Sequence, residues 1–358
     1  MSASGNVSAY HLAKDASFYV GGSYAQSVDG LVMRGAMYVH ERVPAEQTRP
    51  YPVVMIHGVN GTGAIWEGTP DGREGWAQLF VRAGFAVYVV DQPARGRSPY
   101  FPDLDGPKPA TSVMGAHAVA AQYTAPQIAN TYPQARLYTQ WPSDHPDAGR
   151  PGDPVFDRSI SGQVKSVPTN TGTPERLMKA AGAALLDRIG PAILLTHSQG
   201  GALGWQIADA RPGMVKGIVT IEPALIPMHP QAGSADPPYG ITMTPITYDP
   251  PLAEGATIGR VVQPADSPDV SRCWVQAEPV RRLPTLAGIP IAVIIGEASP
   301  LAQRSHCVSH YLAQAGVPND LIRLESVGIH GNNHKMMVER NSAEIASFIH
   351  DWLAKRGL

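Results

Sequence analysis

The sequence predicts an α/β fold in which a mainly parallel, doubly wound sheet carries helices on both faces. Short apolar runs alternate with helical patterns along much of the chain, which is typical of a parallel sheet covered by helices. The 358 residues are 43% hydrophobic and 16% charged, so the chain has enough apolar material for a large buried core.

The apolar runs are predicted to be the buried strands of this sheet. They are bounded by polar or turn-forming residues, as strands of a parallel sheet usually are. The runs are residues 53–56, 85–90, 192–195, 218–221, 291–295 and 321–324. Active sites in such folds lie at the carboxyl ends of the strands, so the residues that follow each run are the candidates for catalysis or binding.

Two helices between and after these strands carry clear boundary signals. Residues 173–175 offer an N-cap threonine, a proline at the first helical position and an acid in the first turn, and Gly190 can close that helix. Near the end, Asn341 and Glu344 have capping-box spacing ahead of an apolar stripe over residues 345–353. This predicts a terminal helix docked on the core.

Two long stretches interrupt the alternation, at about residues 99–172 and 223–286. Both are rich in Pro, Gly, Asp and Ser, and loops of that length are usually functional lids or insertions. Their dense proline favours a stiff, irregular cover over disorder. We therefore predict one domain over residues 1–358, with the two insertions forming a cap or lid over the active site.

Charge and composition exclude several classes of partner. The net charge is −2 and no run of five Lys or Arg occurs, so we predict neither a nucleic-acid nor a membrane partner.

The first residues lack the pattern of a signal peptide, which predicts a cytoplasmic protein; secretion is the alternative if a leader has been removed. The two cysteines, Cys273 and Cys307, match no metal or redox spacing and are predicted to be free thiols, whereas a disulfide would indicate an oxidising compartment.

The segment Thr196-His197-Ser198-Gln199-Gly200 is close to the G-x-S-x-G nucleophile elbow, with its first glycine replaced. An apolar strand precedes the segment and a helical run follows it, as the elbow requires. Serine is a poor nucleophile unless a base lies within hydrogen-bond reach and a third group orients that base. Ser198 is therefore the predicted nucleophile, and the chain order of such enzymes places the acid and the histidine downstream.

Two candidates exist for each partner of Ser198. His330 and His334 both lie in the loop after the last strand, and His334 is favoured because it opens the segment that leads into the final helix. Glu222 and Glu297 each follow a strand, and the spacing leaves both open as the acid.

The oxyanion of an acyl-transfer reaction needs two backbone N–H donors. We predict them at Gln199, directly after the nucleophile, and at Val59, in the glycine-rich loop after the first run. That loop fits neither the Rossmann nor the P-loop pattern, so no nucleotide is expected. Acyl transfer through a serine, a histidine and an acid requires no metal or organic cofactor, and none is expected. Asn60, Trp66 and His197 are the candidate substrate contacts.

Several further segments resemble the α/β-hydrolases related to bacterial esterase 713 of Alcaligenes. The matching segments are residues 17–22, 57–58, 66–67, 69–73, 75–76, 91–92, 95–98, 197–199, 219–223, 330–332 and His334. The resemblance implies an α/β-hydrolase fold with Glu222 as the acid, His334 as the base, and Val59 and Gln199 as oxyanion donors. One departure is Val59-Asn60, which stands where the type member has a vicinal disulfide; another is a longer segment after Glu222.

Together these observations predict a serine esterase that acts on a small-molecule ester or lactone, with a homodimer left open. A lactonase, an amidase or an acyltransferase with the same three residues is the alternative within the enzymes. A non-catalytic ligand-binding protein built on the same fold is the alternative outside them.

Overall fold

The computed structural model describes residues 9–109, 113–229 and 236–358, and an eight-stranded sheet forms its centre. The strands are β1 (Leu12–Ser27), β2 (Gly30–Pro44), β3 (Val53–Ile56), β4 (Val87–Asp91), β5 (Ala192–His197), β6 (Val215–Ile221), β7 (Arg260–Gln263), β8 (Cys273–Gln276), β9 (Ile291–Ile295) and β10 (Asp320–Arg323). Their order across the sheet is β1, β2, β4, β3, β5, β6, β9, β10, while β7 and β8 form a separate antiparallel pair.

The strands from β4 to β10 in this order run parallel to one another, which confirms the predicted parallel, doubly wound sheet. Each predicted apolar run is a strand, with ends displaced by a few residues. The largest extension at a carboxyl end is in β5, which continues to His197 and pairs there with Ile221 of β6.

The long hairpin of β1 and β2 is the part of the sheet that the apolar pattern did not reveal. It joins the sheet antiparallel to β4. Most residues of β1 are exposed or half-buried, so the strand lacks the continuous apolar run that marks the central strands.

Helices cover both faces of the sheet. They are α1 (Ala64–Glu67), α2 (Trp76–Arg82), α3 (Pro102–Asp105), α4 (Ala116–Val119), α5 (Pro126–Ala129), α6 (Pro154–Ser161), α7 (Thr173–Ile189), α8 (Gly200–Ala210), α9 (His306–Gln314) and α10 (Ser342–Ala354). A π-helical turn spans Ala120–Thr124, and 3-10 turns span Pro133–Leu137, Thr169–Thr171, Leu324–Val327 and Met336–Val338. Within the described ranges, no helix is long and apolar enough to cross a membrane.

The two helices that carried boundary signals are confirmed. α7 begins at Thr173 and closes at Gly190, although its N-cap is Gly172, whose φ of +68° suits glycine. α10 begins after Asn341 and buries its apolar stripe in the same core cluster as α2. On the other face, α7, α8 and α9 share a second core cluster with the sheet.

The two insertions pack in different places. Residues 99–172 contain α3 to α6 and form most of a small apolar cluster, which includes Trp141 and Phe156 together with Ala298. Buried apolar residues of 223–286 instead join the core cluster of α8 and α9. Residues 110–112 of the first insertion and 230–235 of the second lie outside the described residues.

The prediction of free thiols is wrong, because Cys273 on β8 forms a disulfide with Cys307 on α9. The two residues are 34 positions apart in the chain, which hid their proximity from the sequence. Packing of the second insertion against α9 brings their Cα atoms to 5.2 Å, a separation that suits a disulfide.

Candidate active site

The candidate site residues lie at the carboxyl edge of the parallel strands. Ser198 follows β5, Glu222 follows β6, and His334 lies in the loop between β10 and α10. Because these strands are parallel neighbours, the loops that leave them meet at one edge of the sheet. The fold therefore assembles residues that are far apart in the sequence.

Ser198 occupies a tight turn between β5 and α8. Its backbone has a φ of +56°, a strained value for a residue with a side chain, and its N–H donates to the carbonyl of Ile221 at 2.9 Å. Gly200 completes the turn, since a Cβ there would come within 2.9 Å of the Ile56 carbonyl oxygen. This geometry is that of a nucleophile elbow.

Thr196 stands where the elbow pattern has its first glycine, and the structure shows how the larger side chain is accommodated. Thr196 is fully buried in β5, beside Thr220 of β6. A Cβ at Gly204, one turn into α8, would lie 3.1 Å from the Thr196 methyl carbon. Because Gly204 has no side chain, the Thr196 side chain has room against α8.

His334 is oriented by Glu222. Its Nδ1 donates to Oε2 of Glu222 at 2.8 Å, and both side chains are buried. The same carboxylate accepts a hydrogen bond from the N–H of Gly296 at 2.7 Å and another from the hydroxyl of Ser299. With Nδ1 protonated as the donor, Nε2 of the neutral ring keeps its lone pair and is the atom available as a base.

The other two candidates, Glu297 and His330, pair with each other. Nδ1 of His330 lies 3.3 Å from both carboxylate oxygens of Glu297, and the N–H of Gly331 donates to that carboxylate at 2.8 Å. His330 is exposed. The geometry thus joins Glu222, and not Glu297, to His334.

The loop of Val59 approaches Ser198 closely. A Cβ on Gly58 would lie 2.8 Å from the Ser198 Cβ, so only glycine allows this approach. In the described part of the chain, the backbone N–H groups of Val59 and Gln199 donate to no other protein group. Both donors are therefore free to bind a ligand atom.

His57 forms hydrogen bonds that hold the loop of Val59. Its Nδ1 donates to the Gly58 carbonyl at 2.8 Å, and its Nε2 accepts from the N–H of Gln92 at 3.2 Å. Burial, with the nearby Arg95 charge, lowers the pKa of His57 to about 3. The ring is therefore neutral at neutral pH, as its two hydrogen bonds require.

Arg95 is a site residue that the sequence reasoning did not assign. Its buried guanidinium donates to the carbonyls of Gly58 and Gly61 at 3.3 and 3.5 Å and to Oε1 of Gln199 at 3.5 Å. It therefore bridges the two loops that carry the candidate oxyanion donors. The sequence signal that could have identified Arg95 was its position in the loop after β4, at the same edge of the sheet.

His197 lies against the candidate base. Its Nε2 donates to the His334 carbonyl at 2.9 Å, and the two rings are 4.5 Å apart. Burial, followed by the neighbouring His334, lowers the pKa of His197 well below its ordinary value, so this ring is neutral. It supports the loop that carries His334 and also lines the cavity.

The candidate substrate contacts are only partly placed as predicted. A cavity of about 290 Å³ opens at Ser198, and its wall includes Asn60, His197 and His334. Trp66 is fully buried, packs on Trp76 with ring centroids 5.7 Å apart, and is not part of the wall. The prediction that Trp66 contacts substrate is wrong, because α1 turns the indole into the core.

The first insertion supplies a large share of the cavity wall, including Met114, Val119 and Tyr123. Tyr123 stacks on His334 with ring centroids 5.2 Å apart, a contact for which the sequence carried no local signal. Over the described positions of residues 223–286, no side chain lines the cavity. Of the two insertions, the first therefore contributes all the described side chains that line the cavity.

A cluster of side chains of the kinds that bind metal ions lies outside this cavity. Cys273, His306 and Cys307 bring their sulfur and nitrogen atoms within 4.8 Å of one another. The two sulfurs are bonded to each other, so in this oxidised form they provide no thiolate for a metal ion.

Comparison with known proteins agrees with this architecture. A model of the alpha/beta hydrolase family matches residues 53–348. The chain belongs to the alpha/beta hydrolase family. This membership confirms both the predicted fold class and the resemblance on which it partly rested.

This alpha/beta hydrolase is similar over nearly its whole length to two described proteins. It is 42% identical over 343 residues to the probable secreted lipase phiG of Fungal sp. (strain ATCC 74256), covering 95% of this chain and 89% of the relative. It also matches the atomic-resolution structure of a novel bacterial esterase at 26% identity, with a TM-score of 0.63 and 98% of each chain covered.

Proposed function

We propose that this alpha/beta hydrolase cleaves carboxylic esters of small molecules through an acyl-enzyme on Ser198. The observation that carries the proposal is the buried hydrogen bond of 2.8 Å from His334 to Glu222, beside a cavity whose wall includes Ser198. The similarity to a probable secreted lipase and to a bacterial esterase supports ester hydrolysis.

In the acylation step, Ser198 Oγ attacks the ester carbonyl carbon while Nε2 of His334 takes its proton. Negative charge develops on the carbonyl oxygen, and in this proposal the N–H groups of Val59 and Gln199 donate hydrogen bonds to it. The tetrahedral intermediate then collapses, and the imidazolium gives its proton to the leaving alcohol. Glu222 stays ionised throughout and stabilises the imidazolium.

In the deacylation step, water replaces the alcohol. His334 takes a proton from the water as it attacks the acyl carbon, and then returns that proton to Ser198 as the carboxylic acid leaves. Among the described residues, no hydrogen bond yet joins Ser198 Oγ to the imidazole, and such bonds often tighten only when substrate binds.

Residues 99–172 act in this proposal as the cap that limits substrate size. They contribute Met114, Val119 and Tyr123 to the wall. The cavity of about 290 Å³ lies at the lower end of the range for small-molecule sites, which favours a small ester. Lactones, amides and acyl transfer use the same atoms and are tested by the same substrate panel.

Fluorophosphonate labelling followed by ester turnover tests the assignment. The wild-type protein is expected to be labelled and to hydrolyse short-chain esters, whereas Ser198→Ala loses both properties and keeps its fold. Ser161→Ala changes an exposed serine of α6 and is the matched control, expected to be labelled normally. Labelling or hydrolysis that persists in Ser198→Ala contradicts the proposal.

The compartment is a separate part of the proposal. The cytoplasmic location stays a prediction, but the Cys273–Cys307 disulfide and the probable secreted relative favour an oxidising compartment. Protein isolated from its own source in the presence of a thiol-blocking reagent is expected to carry no blocked cysteine. Two blocked thiols per chain would support the cytoplasm instead.

A further inference from the structure

The charges on the cavity wall are all of one sign. In the part of the chain that the structure describes, the wall includes Arg158 and Lys335 but no Asp or Glu side chain. The whole protein has 30 Asp and Glu against 28 Lys and Arg, so this bias does not reflect the overall composition. The charged side chains that line the cavity are therefore both cations, although the Glu222 carboxylate lies behind His334.

Lys335 directly follows His334 and is only partly exposed. Its ammonium makes no ion pair or hydrogen bond with any residue that the structure describes. Burial lowers the pKa of Lys335 to about 8, so most molecules still carry the charge at neutral pH. A desolvated cation without a counter-charge is unfavourable, and an anionic group on a ligand offsets that cost.

Arg158 lies on α6, in the first insertion, at the exposed part of the same wall. Its Nε donates to the Pro70 carbonyl at 2.6 Å, which holds the guanidinium in place. No carboxylate among the described residues forms an ion pair with it. Arg158 thus adds a second, more solvated positive charge on the path into the cavity.

The rest of the wall is largely apolar. Ile65, Met114, Val119 and Val338 contribute aliphatic surface to the same wall as the two cations and Ser198. An apolar wall with one desolvated cation suits a ligand that has a short hydrocarbon body and one negatively charged end.

We propose that the preferred substrates are acidic esters, whose free carboxylate binds Lys335 while their ester carbonyl lies at Ser198. The inference rests on the proposed esterase function and narrows its substrate class. Arg158 attracts the anion toward the cavity, and Lys335 pairs with it inside.

Matched acids and amides test the inference. The probes are monoethyl succinate, glutarate and adipate, together with the acetyl esters of glycolic and 3-hydroxypropanoic acid, each compared with its neutral carboxamide counterpart. For at least one pair, wild-type kcat/KM is expected to favour the acid by about tenfold to about 100-fold, the range of a charge-assisted contact. In Lys335→Met this ratio is expected to fall close to one.

The ratio within one variant is the decisive quantity, because any general damage near His334 affects both members of a pair. Lys355→Met, at the exposed end of α10, is the control and is expected to keep the wild-type ratio. Equal rates for acid and carboxamide in every pair, or an unchanged ratio in Lys335→Met, would overturn the inference.

Binding to Ser198→Ala separates failure of the inference from failure of the esterase proposal. Calorimetry with the same probes needs no turnover, and the acids are expected to bind more tightly than their carboxamides. If neither member is hydrolysed by wild type but the acids still bind through Lys335, the esterase proposal alone has failed. Equal binding of both members overturns the inference.

The pH dependence of the ratio provides a second arm. The charge on Lys335 is present below its pKa of about 8 and is lost above it, so the preference for acids should decline between pH 7 and pH 9. Lys335→Arg keeps its charge at pH 9 and is expected to keep the preference there. A preference that declines equally in both proteins contradicts the role of Lys335.

The other titratable groups on the wall are not expected to change the ratio of acid to carboxamide turnover between pH 7 and pH 9. Burial lowers the pKa of His57 and His197, so both stay neutral, and it raises the pKa of Tyr123. Any change in general activity with pH cancels in the ratio of acid to carboxamide turnover. The titratable and charged groups that line the cavity with Lys335 are His57, Tyr123, Arg158, His197 and His334.

Discussion

Two glutamate–histidine pairs lie at the same edge of the sheet, and they differ mainly in burial. The side chains of Glu222 and His334 are 0% and 8% exposed, whereas those of Glu297 and His330 are 20% and 62% exposed. The two histidines are separated by only three residues. The comparison shows that residue type and spacing define the candidates, while burial and contacts distinguish the two pairs.

The buried pair has the stronger electrostatic coupling. A hydrogen bond of 2.8 Å in a low-dielectric setting holds one ring orientation, while an exposed contact of 3.3 Å is weakened by solvent. Glu222 is further held by Gly296 and Ser299, and its own backbone has a strained φ of +47°. Strain of this kind is typical of functional positions.

The largest expected effect comes from removing the two histidines in turn. His334→Ala should lower kcat/KM for a neutral short-chain ester by about 10⁴-fold or more, because no base remains for Ser198. His330→Ala should change it by no more than about twofold, as expected for an exposed ion pair. A large loss in the His330 variant would reverse the comparison.

The next effect comes from the acids. Glu222→Gln should lower kcat by about 10³-fold to about 10⁴-fold, because the amide favours the wrong tautomer of His334 and no longer stabilises the imidazolium. Glu297→Gln is the matched substitution in the exposed pair and should retain most of the activity. Thermal unfolding of both variants checks that the fold is intact; equal losses in the two variants would contradict the choice of Glu222.

A smaller effect is expected from Arg95, which bridges the loops of Val59 and Gln199, the proposed oxyanion donors. Arg95→Met should lower kcat by about tenfold to about 100-fold with little change in KM, because the Val59 donor is no longer held against the developing charge. Arg95→Lys keeps a charge but not the bridging geometry and should fall between wild type and Arg95→Met. A loss confined to KM would indicate a role in substrate binding instead.

The smallest expected effect is on the pH dependence of the free energy of unfolding. It concerns His57, another buried histidine, and so extends the comparison of buried and exposed histidines. Its pKa in the folded protein is about 3, against an ordinary value of 6.5, so the unfolded chain binds more protons between these values. Stability therefore falls as pH decreases through this range, by about 2 kcal/mol between pH 7 and pH 5 for this one group. Urea unfolding at both pH values should show a difference smaller by about that amount in His57→Gln.

Much of the fold could be predicted from the sequence because its signals are local. Buried parallel strands appear as short apolar runs, and the terminal helix appears as an apolar stripe behind Asn341. The hairpin of β1 and β2 was missed because its exposed faces carry no such run. Ser198 was found in the same local way, from a turn sequence between a strand and a helix.

The tertiary structure decided what depends on contacts between distant segments. The sequence by itself determined the parallel sheet, the turn at Ser198 and a short set of acids and histidines, because each depends on neighbouring residues. Spacing left Glu297 and His330 open, whereas the folded chain joins Glu222 to His334, 112 residues away, and brings Cys273 to Cys307. It alone turns Trp66 into the core and places Lys335 on the cavity wall, because burial and distance are set by packing across the whole domain.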